Sequence, residues 1–360
     1  MTDPTNPTPA RKLDHLRICA GNQVESGNPG WNDIKLVHHA LPECDMDRID
    51  SGTKFLGHEL SSPLYIAAMT GGHRELLEVN ATLADAAERY GLGMGVGSQR
   101  AALENPVLEE SFSVVREHAP SAFLVANLGV VQLRDHGIEW AERAVEMIDA
   151  DAIAIHLNFL QEAIQPEGDH DAQGCLTALG ELCRAFKYPV IVKETGCGIS
   201  ARTASMCFGA GVQAIDIGGW GGTSWAIIES IRAEEGRDSG LAALGQEYAA
   251  WGIPTVVSLS DVARLGGPVI ATGGIRSGLD MARAIALGAD LCGVALPLLK
   301  SALKGEQPLC DIIERYHQGL RVAMFLTGSR TVSELKSAEM YITGNTREMF
   351  ENISEEYHGY

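Results

Sequence analysis

One lysine in this sequence lies directly after an apolar stretch, and this position suggests a catalytic or cofactor-binding role. Lys193 follows the apolar run Val190–Val192 and precedes Glu194. A buried lysine is costly unless it is paired or functional, so two roles are open. It can form a Schiff base, or its charge can lie beside the N1 and O2 edge of a flavin and stabilise the reduced, anionic ring. No obvious partner for carbonyl chemistry accompanies it, whereas Asn127 and Ser98 are suited to hydrogen bonding a heteroaromatic ring, so the flavin is favoured.

Glycine-rich segments late in the chain indicate a phosphate site. Thr272-Gly273-Gly274-Ile275-Arg276 follows the apolar run Val269–Ala271, and Ala295-Leu296 follows Leu291–Val294. Glycine lets the backbone approach phosphate oxygens, backbone N–H groups bind them, and Arg276 adds positive charge. Together with Lys193 this predicts flavin mononucleotide (FMN). Simple tight turns are the alternative explanation for the glycines.

A third candidate segment runs from His156 to Glu162. Strand alternation points His156 and Asn158 the same way, and Gln161 and Glu162 then lie just beyond the strand. A single carboxylate there suits Mg²⁺, which takes one or two protein oxygens together with substrate phosphates and water. A glutamate favoured by the dipole of a helix N-terminus is the alternative, and for Glu162 taken alone it is the better supported one.

Eight short apolar stretches position these residues, and nearly every one runs into a glycine-rich or polar cluster. Their starts fall 22 to 55 residues apart, which leaves room for a helix between each pair. This pattern predicts an α/β fold, a (β/α)8 TIM barrel whose chemistry lies at the carboxyl ends of the strands. The predicted strands are Leu64–Met69, Leu92–Val96, Ala122–Ala126, Ala152–Ile155, Val190–Val192, Ala214–Ile217, Val269–Ala271 and Leu291–Val294.

The remaining segments predict an N-terminal arm, the barrel helices and a C-terminal helical extension. Residues 1–10 are expected to be a disordered lead-in and 11–360 a single FMN-binding barrel domain, in which residues 11–63 include a hairpin over the barrel floor or edge. The long segment from Thr223 to Pro268 is expected to be a loop that acts as a lid or wall. The tail from Asp311 to Tyr360 should pack as two or three helices. Apolar spacing predicts helices at Lys12–Cys19, Asn80–Tyr90, Trp140–Ile148, Ala178–Phe186, Ser258–Arg264 and Leu279–Leu287.

Charge and composition restrict the partners. The 360 residues carry a net charge of -19, which argues against nucleic acid and anionic membranes. No apolar run approaches the ~20 residues of a membrane span, and the Pro/Thr-rich start lacks a signal core, so a cytoplasmic protein is expected. The eight cysteines show no metal spacing, and Cys197 has no evident base, so a small loop residue is favoured over a nucleophile. The cations expected at the mouth indicate a small phosphorylated ligand, and they are Arg11, Lys12, Arg100, Lys193 and Arg276.

Taken in order, these motifs resemble those of the type 2 isopentenyl-diphosphate isomerases. The resemblance covers about residues 11–345; single motifs are weak, but the ordered set is specific. One departure is Gly218, where the family usually carries a serine whose hydroxyl would contact the flavin. The motifs are Arg11-Lys12-x-Asp14-His15, Ala68-Met69-Thr70-Gly71-Gly72, Gly97-Ser98-Gln99-Arg100, His156–Glu162, Lys193-Glu194, Gly221-Gly222-Thr223 and Gly273-Gly274-Ile275-Arg276.

The resemblance implies a reaction and a set of roles. The reaction converts isopentenyl to dimethylallyl diphosphate by a 1,3-proton shift without net redox, with reduced FMN, Mg²⁺ held by Glu162, NADPH as reductant and a homotetramer or homo-octamer. The residues do not identify the physiological reductant. Gln161 and Glu229 are the catalytic candidates, although Glu229 could equally pair with Arg232 as a structural residue. The implied substrate ligands are Arg11, Lys12, Ser98, Gln99, Arg100, His156, Asn158 and Gln161. The implied FMN ligands are Ala68, Met69, Thr70, Ser98, Asn127, Lys193, Thr223, Gly274, Ile275, Arg276, Ala295 and Leu296.

Two other classes compete with this interpretation. A 2-hydroxy-acid oxidase or related FMN dehydrogenase needs a histidine base and an arginine pair near the last two strands, but no histidine lies between His170 and His317. A nucleotide-oxidising barrel needs a reactive cysteine after strand six, and Gly218–Thr223 has none. A non-catalytic flavin- or phosphate-binding barrel has no need of the Arg11-Lys12 arm or of Glu162.

Overall fold

Residues 8–63 form an extension that packs at both ends of a barrel. The computed structural model describes residues 8–356, with side chains for 11–352. The extension contains helix α1 (Thr8–Gly21), strand β1 (Ile34–Leu36) and the hairpin β2 (Thr53–Phe55) and β3 (His58–Leu60). Because α1 begins at Thr8, residues 8–10 are helical and not part of the expected lead-in, whose residues 1–7 lie outside the described residues.

The eight predicted strands are confirmed, and they close into a parallel barrel in their order along the chain. Every predicted strand is present, with ends displaced by three residues or fewer. Each strand is short and buried because its neighbours in the ring and the surrounding helices cover both of its faces. The strands are β4 (Leu64–Ile66), β5 (Gly93–Gly95), β6 (Leu124–Gly129), β7 (Ala152–Leu157), β8 (Val190–Glu194), β9 (Ala214–Asp216), β10 (Val269–Thr272) and β11 (Leu291–Val294).

Alternation along the strands builds the barrel interior in layers. Tyr65, Val125 and Ile191 are among the side chains that fill the lower interior, and the hairpin closes the floor beneath them with Phe55 and Leu60. The hairpin prediction is therefore confirmed, at the floor. Because side chains alternate along a strand, residues two positions further along face the interior again, nearer the mouth. That upper layer is polar, and it forms the base of the site described below.

Helices alternate with the barrel strands, and the predicted helices are confirmed with shifted ends. The prediction of a long loop over 223–268 is wrong, because three helices occupy most of it. Their apolar residues, such as Ile228, Val256 and Leu259, are fully buried, so this wall is packed. The helices are α2 (Leu77–Tyr90), α3 (Arg100–Glu104), α4 (Glu110–His118), α5 (Val130–His136), α6 (Ile138–Ile148), α7 (Phe159–Ile164), α8 (Cys175–Ala185), α9 (Ala201–Gly209), α10 (Trp225–Glu235), α11 (Ser239–Glu247), α12 (Thr255–Ala263), α13 (Gly278–Ala286) and α14 (Leu296–Ala302).

The C-terminal extension packs outside the barrel as predicted, with one addition. It comprises α15 (Glu306–Leu326), α16 (Val332–Leu335), strand β12 (Met340–Ile342) and α17 (Gly344–Glu356). Strand β12 pairs antiparallel with β1, so the two extensions meet in a small sheet that the sequence did not predict. Among the described residues, no helix has both the length and the apolar character needed to cross a membrane.

Candidate active site

A deep pocket opens at the carboxyl ends of the barrel strands, beneath helix α1. The strand-end clusters meet there, although they are far apart in the sequence. Gln99, Ile275 and Glu229 are the predicted site residues that do not line it. The predicted residues on its wall are Arg11, Lys12, Ala68, Met69, Thr70, Ser98, Arg100, Asn127, His156, Asn158, Gln161, Glu162, Lys193, Thr223, Gly274, Arg276, Ala295 and Leu296.

The pocket base contains a neutral histidine of fixed orientation. Asn127 donates from Nδ2 to the Val96 carbonyl (2.9 Å), so its Oδ1 faces Nδ1 of His156, 2.9 Å away. Nδ1 of His156 must therefore carry the proton, and Nε2 is left as an acceptor. Burial, and then the charges of Lys193 and Lys12, lower the pKa of His156 to about 3. His156 is thus a neutral hydrogen-bonding group at working pH and a poor partner for an anion.

Lys193 lies in the same layer beside a carboxylate that the sequence analysis missed. Lys193 and Asp216 are register partners on β8 and β9, and the Lys193 ammonium donates to the Glu194 carbonyl (3.1 Å). Asp216 is 2% exposed, and its Oδ1 has no hydrogen-bond partner among the described residues. Burial raises the pKa of Asp216, and the Lys193 charge opposes this. An acidic residue two positions after the inward-facing Ala214 was the signal available in the sequence.

Two glycine loops after β9 and β10 pack against each other and form a backbone cradle. A Cβ on Gly222 would lie 2.6 Å from the Gly274 nitrogen, and one on Gly274 would lie 2.5 Å from the Gly221 oxygen, so only glycine fits. The N–H groups of Gly274 and Ile275 donate to no acceptor among the described residues. Such a cradle fits a phosphate. Ile275 contributes through its backbone, because its side chain is fully buried in the core.

The N-terminal extension closes the outer side of this cradle. Ser26 donates to the Gly222 carbonyl (3.0 Å), and the Trp31 indole donates to the Gly273 carbonyl (3.1 Å). The side chain of Arg276 reaches the same region, where its Nε lies 2.9 Å from a carboxylate oxygen of Glu25. Arg276, which is predicted to add positive charge at the phosphate site, is therefore neutralised by a carboxylate from the extension.

Gly218, the departure from the family pattern, is required by the local backbone. Its φ of +47° is left-handed, and a Cβ there would overlap the carbonyl group of Glu194. Its own carbonyl accepts from the N–H of Gly198 (2.9 Å). A serine would therefore need a different arrangement of the β8 and β9 loops.

The carboxylate of Glu194 organises the loop after β8. It accepts hydrogen bonds from the backbone N–H groups of Gly196 (2.5 Å), Cys197 and Gly198 (3.2 Å), so these amides are not available to a phosphate. Burial raises the pKa of Glu194 to about 7 against these bonds. Burial, and then Glu194, raise the pKa of the Cys197 thiol to about 12, which supports its reading as a loop residue.

A cationic end of the pocket is built mainly by α1. Arg11, Lys12 and His15 project from one side of the helix because their spacing covers one turn, and Arg100 approaches from α3. Burial, and then the charges of Arg11 and Arg100, lower the pKa of Lys12 to about 8. Arg11 donates to Gln165 (3.3 Å), while its buried Nε has no partner among the described residues. Crowded cations with unused donors fit a polyanionic ligand.

Glu229 lies behind the pocket wall and reaches it through Gln161. Its Oε1 accepts from Nε2 of Gln161 and from Nε2 of His15, both at 2.9 Å, and its Oε2 accepts from Arg232 at 2.7 Å. The Gln161 contact expected for a catalytic Glu229 and the structural pair with Arg232 therefore coexist. Burial alone would raise the pKa of Glu229, but the His15 and Gln161 hydrogen bonds and the Arg232 charge lower it to about 2.

His15 belongs to the Arg11-Lys12-x-Asp14-His15 motif, but it is not among the predicted site residues. Burial lowers its pKa, and Lys12 and Arg11 add to this against the opposing effect of Glu229. Its ring packs edge-on against Trp225 at 5.0 Å. A neutral His15 donates from Nε2 to Glu229. Its position one turn after Arg11 was the signal available in the sequence.

The carboxylate of Glu162 lines the pocket and accepts hydrogen bonds from neutral donors. Asn158 Nδ2 donates to its Oε1 (2.8 Å), and Gln165 Nε2 (2.5 Å) and the Asp169 N–H (2.9 Å) donate to its Oε2. The described residues contain no group of three or more His, Cys, Asp or Glu side chains placed to hold a metal. Any cation at Glu162 therefore needs most of its ligands from elsewhere.

The side chain of Gln99 points away from the pocket. Its Nε2 donates to the Ala144 carbonyl (2.7 Å), its Oε1 accepts from the Asn127 N–H (2.8 Å), and it is fully buried. The contacts support a structural role for this side chain and place it out of reach of a diphosphate in the pocket.

Sequence comparison assigns the family. Residues 139–342 match the family model described as FMN-dependent dehydrogenase. The isopentenyl-diphosphate delta-isomerase of Methanoregula boonei is 62% identical over 347 residues, which are 96% of this chain and 97% of that protein. The chain belongs to the isopentenyl-diphosphate delta-isomerase family. The family member from Archaeoglobus fulgidus is 52% identical over 341 residues, or 95% of this chain and 98% of that protein.

Solved structures of low sequence identity share the fold of this isomerase family member. A mandelate oxidase with an FMN monooxide adduct has a TM-score of 0.62 at 18% identity, covering 91% of this chain and 95% of that chain. A flavocytochrome b2 with pyruvate bound has a TM-score of 0.65 at 17% identity, covering 89% and 81%. The resemblance predicted from the motifs and the TIM-barrel fold are both confirmed.

Proposed function

We propose that this chain interconverts isopentenyl diphosphate and dimethylallyl diphosphate by a 1,3-proton shift, with reduced FMN and Mg²⁺. One observation carries the proposal: the pocket has two separate anion-binding regions. The glycine cradle follows β9 and β10, and Arg100 follows β5, which lies opposite β9 in the eight-strand ring. Two regions fit two phosphorylated molecules, a cofactor and a substrate.

FMN fits the cradle and the pocket base. The cradle would hold its phosphate, with Thr223, Ala295 and Leu296 beside it, and Lys193 and Asn127 would contact the ring edge. The orphaned Asp216 oxygen and the Lys193 charge make this base polar where a heteroaromatic ring would lie. When bound and reduced, the flavin supplies an electron-rich ring that can exchange a proton with the substrate.

The chain's own residues hold the substrate and accommodate developing charge. Arg11, Lys12 and Arg100 would bind the diphosphate, which supplies binding energy remote from the reacting carbons. Protonation of a neutral alkene creates positive charge at carbon. The anionic Glu229 and the Gln161 amide that it orients would stabilise that charge from the pocket wall. The packed helices α10–α12 would keep water away from it.

Magnesium would bind at Glu162 together with the substrate. A single carboxylate is enough when diphosphate oxygens and water complete the coordination shell. Reduction by NADPH, a cytoplasmic location and a homotetramer or homo-octamer belong to the same proposal and rest on the family resemblance.

The oxidation of 2-hydroxy acids, suggested by the structural neighbours, is less well supported. Residues 171–316 contain no histidine, and His156 in the pocket base is held by Asn127. The cations Arg11 and Lys12 lie on α1 and not on the last two strands. These contacts favour a diphosphate over a carboxylate substrate.

The test combines a spectrum with a stoichiometry. The purified protein should show an oxidised-flavin spectrum that dithionite bleaches, and only the reduced protein should convert isopentenyl diphosphate. One reduction should support many turnovers, because the reaction has no net redox. Oxidation of one NADPH for each product formed, or an active protein that releases no flavin on denaturation, would contradict the proposal.

A further inference from the structure

We infer that Arg232 is a positioning residue that keeps Glu229 as a carboxylate aimed at Gln161, and that Glu167 fixes Arg232 in that place. The inference rests on the proposed function for its kinetic consequences only. The contacts that carry it are independent of any ligand. None of these contacts involves the flavin region.

Arg232 lies between two carboxylates. Its Nη1 donates to Glu229 Oε2 at 2.7 Å, and its Nη2 donates to Glu167. Arg232 is 19% exposed, whereas Glu229 is 1% exposed. The guanidinium can bridge two acceptors because its donors are held in one rigid plane. Glu167 comes from the segment after α7, so the bridge joins that segment to α10.

Arg232 is the cation that neutralises Glu229. The groups around this carboxylate are His15 with Lys12 and Arg11 on α1, and Gln161 and Glu162 on α7. His15 touches it as a neutral donor and Gln161 as an amide, so among the described residues Arg232 supplies the permanent positive charge in direct contact. Removing one partner of a buried ion pair leaves an uncompensated charge, which the remaining group relieves by changing its protonation.

Glu167 also connects Arg232 to the cationic end of the pocket. The same Glu167 oxygen accepts from Arg11 Nη1 at 3.4 Å. Arg11 and Arg232 therefore share one carboxylate, one arginine facing the substrate region and the other facing Glu229. Glu167 therefore fixes both Arg11, which would bind the diphosphate, and Arg232, which orients Glu229.

The inference predicts a sign change in the pH dependence of stability in Arg232→Met. In the parent protein Glu229 has a depressed pKa, so its contribution to stability is present above pH ~4.5 and is lost as pH falls. In Arg232→Met burial is opposed only by the His15 and Gln161 contacts, so the pKa of Glu229 should rise, and we expect the His15–Glu229 pair to take up a proton at a higher pH than the unfolded glutamate does. The protonated pair then stabilises the fold at low pH, and this is lost as pH rises from about 5 to 8. Urea unfolding at several pH values measures this without any activity assay.

Two variants make the result decisive. The double variant Arg232→Met, Glu229→Gln should lose the new pH dependence, because the carboxylate that pairs with His15 is gone. Arg232→Lys keeps the charge and should therefore keep the parent's pH dependence of unfolding. If Arg232→Met shows the parent's pH dependence, or if Arg232→Lys shows the same change as Arg232→Met, the inference is overturned. Arg232→Lys also covers the case in which Arg232→Met does not fold.

Steady-state kinetics test whether Arg232 affects turnover through the charge of Glu229. They also separate this inference from the proposed function. Arg232→Met should lower kcat for isopentenyl diphosphate about tenfold or more at pH 6 and less at pH 8, with FMN content unchanged and KM altered by less than about threefold. Glu167→Gln should raise KM as well, through Arg11. A kcat loss that is equal at both pH values contradicts the positioning role. A parent protein that converts no isopentenyl diphosphate refutes the proposed function, while the unfolding result still decides this inference.

Discussion

If Lys12 binds the substrate diphosphate as proposed, its depressed pKa should make substrate binding dependent on pH. Burial, and then Arg11 and Arg100, lower this pKa from 10.5 to about 8 in the ligand-free protein. By the equivalence of one pKa unit to about 1.4 kcal/mol, holding the ammonium in the pocket costs at most about 3.5 kcal/mol. A diphosphate in contact with Lys12 opposes both causes, so the complex should hold the proton that the free pocket releases.

The expected size of the change in KM follows from the protonated fraction of Lys12. If only the ammonium form binds, the share of competent pockets falls from about nine in ten at pH 7 to about one in ten at pH 9. KM should therefore rise about tenfold over that range. Phosphate ester ionisations near pH 6 lie below it and do not contribute. Calorimetry in buffers of different ionisation enthalpy should detect uptake of about half a proton on binding at pH 8.

Two comparisons make the prediction refutable. Lys12→Arg stays charged at all these pH values and should bind substrate with a flat pH profile. The ligand-free protein should become more stable as pH rises from about 8 to 10.5, because there the unfolded Lys12 binds the proton that the folded protein releases. Affinity and stability thus move in opposite directions. A KM that stays constant between pH 7 and 9, or a tenfold rise that persists in Lys12→Arg, would refute the reasoning.

Three further outcomes are expected. Gly218→Ser should lower the free energy of unfolding by about 1–3 kcal/mol and reduce FMN retention, because its Cβ overlaps the Glu194 carbonyl; unchanged urea unfolding would contradict this. Glu162→Gln should raise the Mg²⁺ concentration for half-maximal activity about tenfold or more with FMN content intact, and an unaltered requirement would leave Glu162 a hydrogen-bonding role. Lys193→Gln should make the midpoint potential of bound FMN more negative and Asp216→Asn more positive, by about 30 mV or more in redox titration; shifts of the same sign would contradict the opposed charges.

The barrel could be predicted because its signals are local. Each strand is an apolar run ended by polar residues, and strand ends in this fold meet at one face. The same rule brought Asn127, His156 and Lys193 to one pocket base. The prediction of a long loop over 223–268 failed for a local reason too: a helix is predicted at Ser258–Arg264, but the apolar spacing of α10 and α11 is interpreted as part of a loop.

The missed residues depend on contacts between distant segments. Glu25 and Glu167 act on partners that no sequence spacing identifies, since Glu25 reaches Arg276 across 251 positions. The side chain of Gln99 points away from the pocket because a strand end turns into a helix at that point, and neighbouring side chains there point in different directions. Local periodicity predicts the face of a regular element but not of such a junction.

The arginines of the pocket are paired with carboxylates, and this bears on how an acidic protein would hold the two anionic ligands of the proposed function. Arg276 is paired with Glu25, Arg100 with Glu104 and Arg11 with Glu167, so each guanidinium is already partly neutralised in the ligand-free state. Binding a phosphate there exchanges one anionic partner for another, which selects for ligand geometry more than for charge. Lys12 has no carboxylate partner among the described residues, and it is the cation whose pKa is depressed. In the proposed function its neutralisation by a diphosphate would therefore be the step in which binding gains new electrostatic free energy, and for this reason the pH dependence of KM should follow Lys12 and not the arginines.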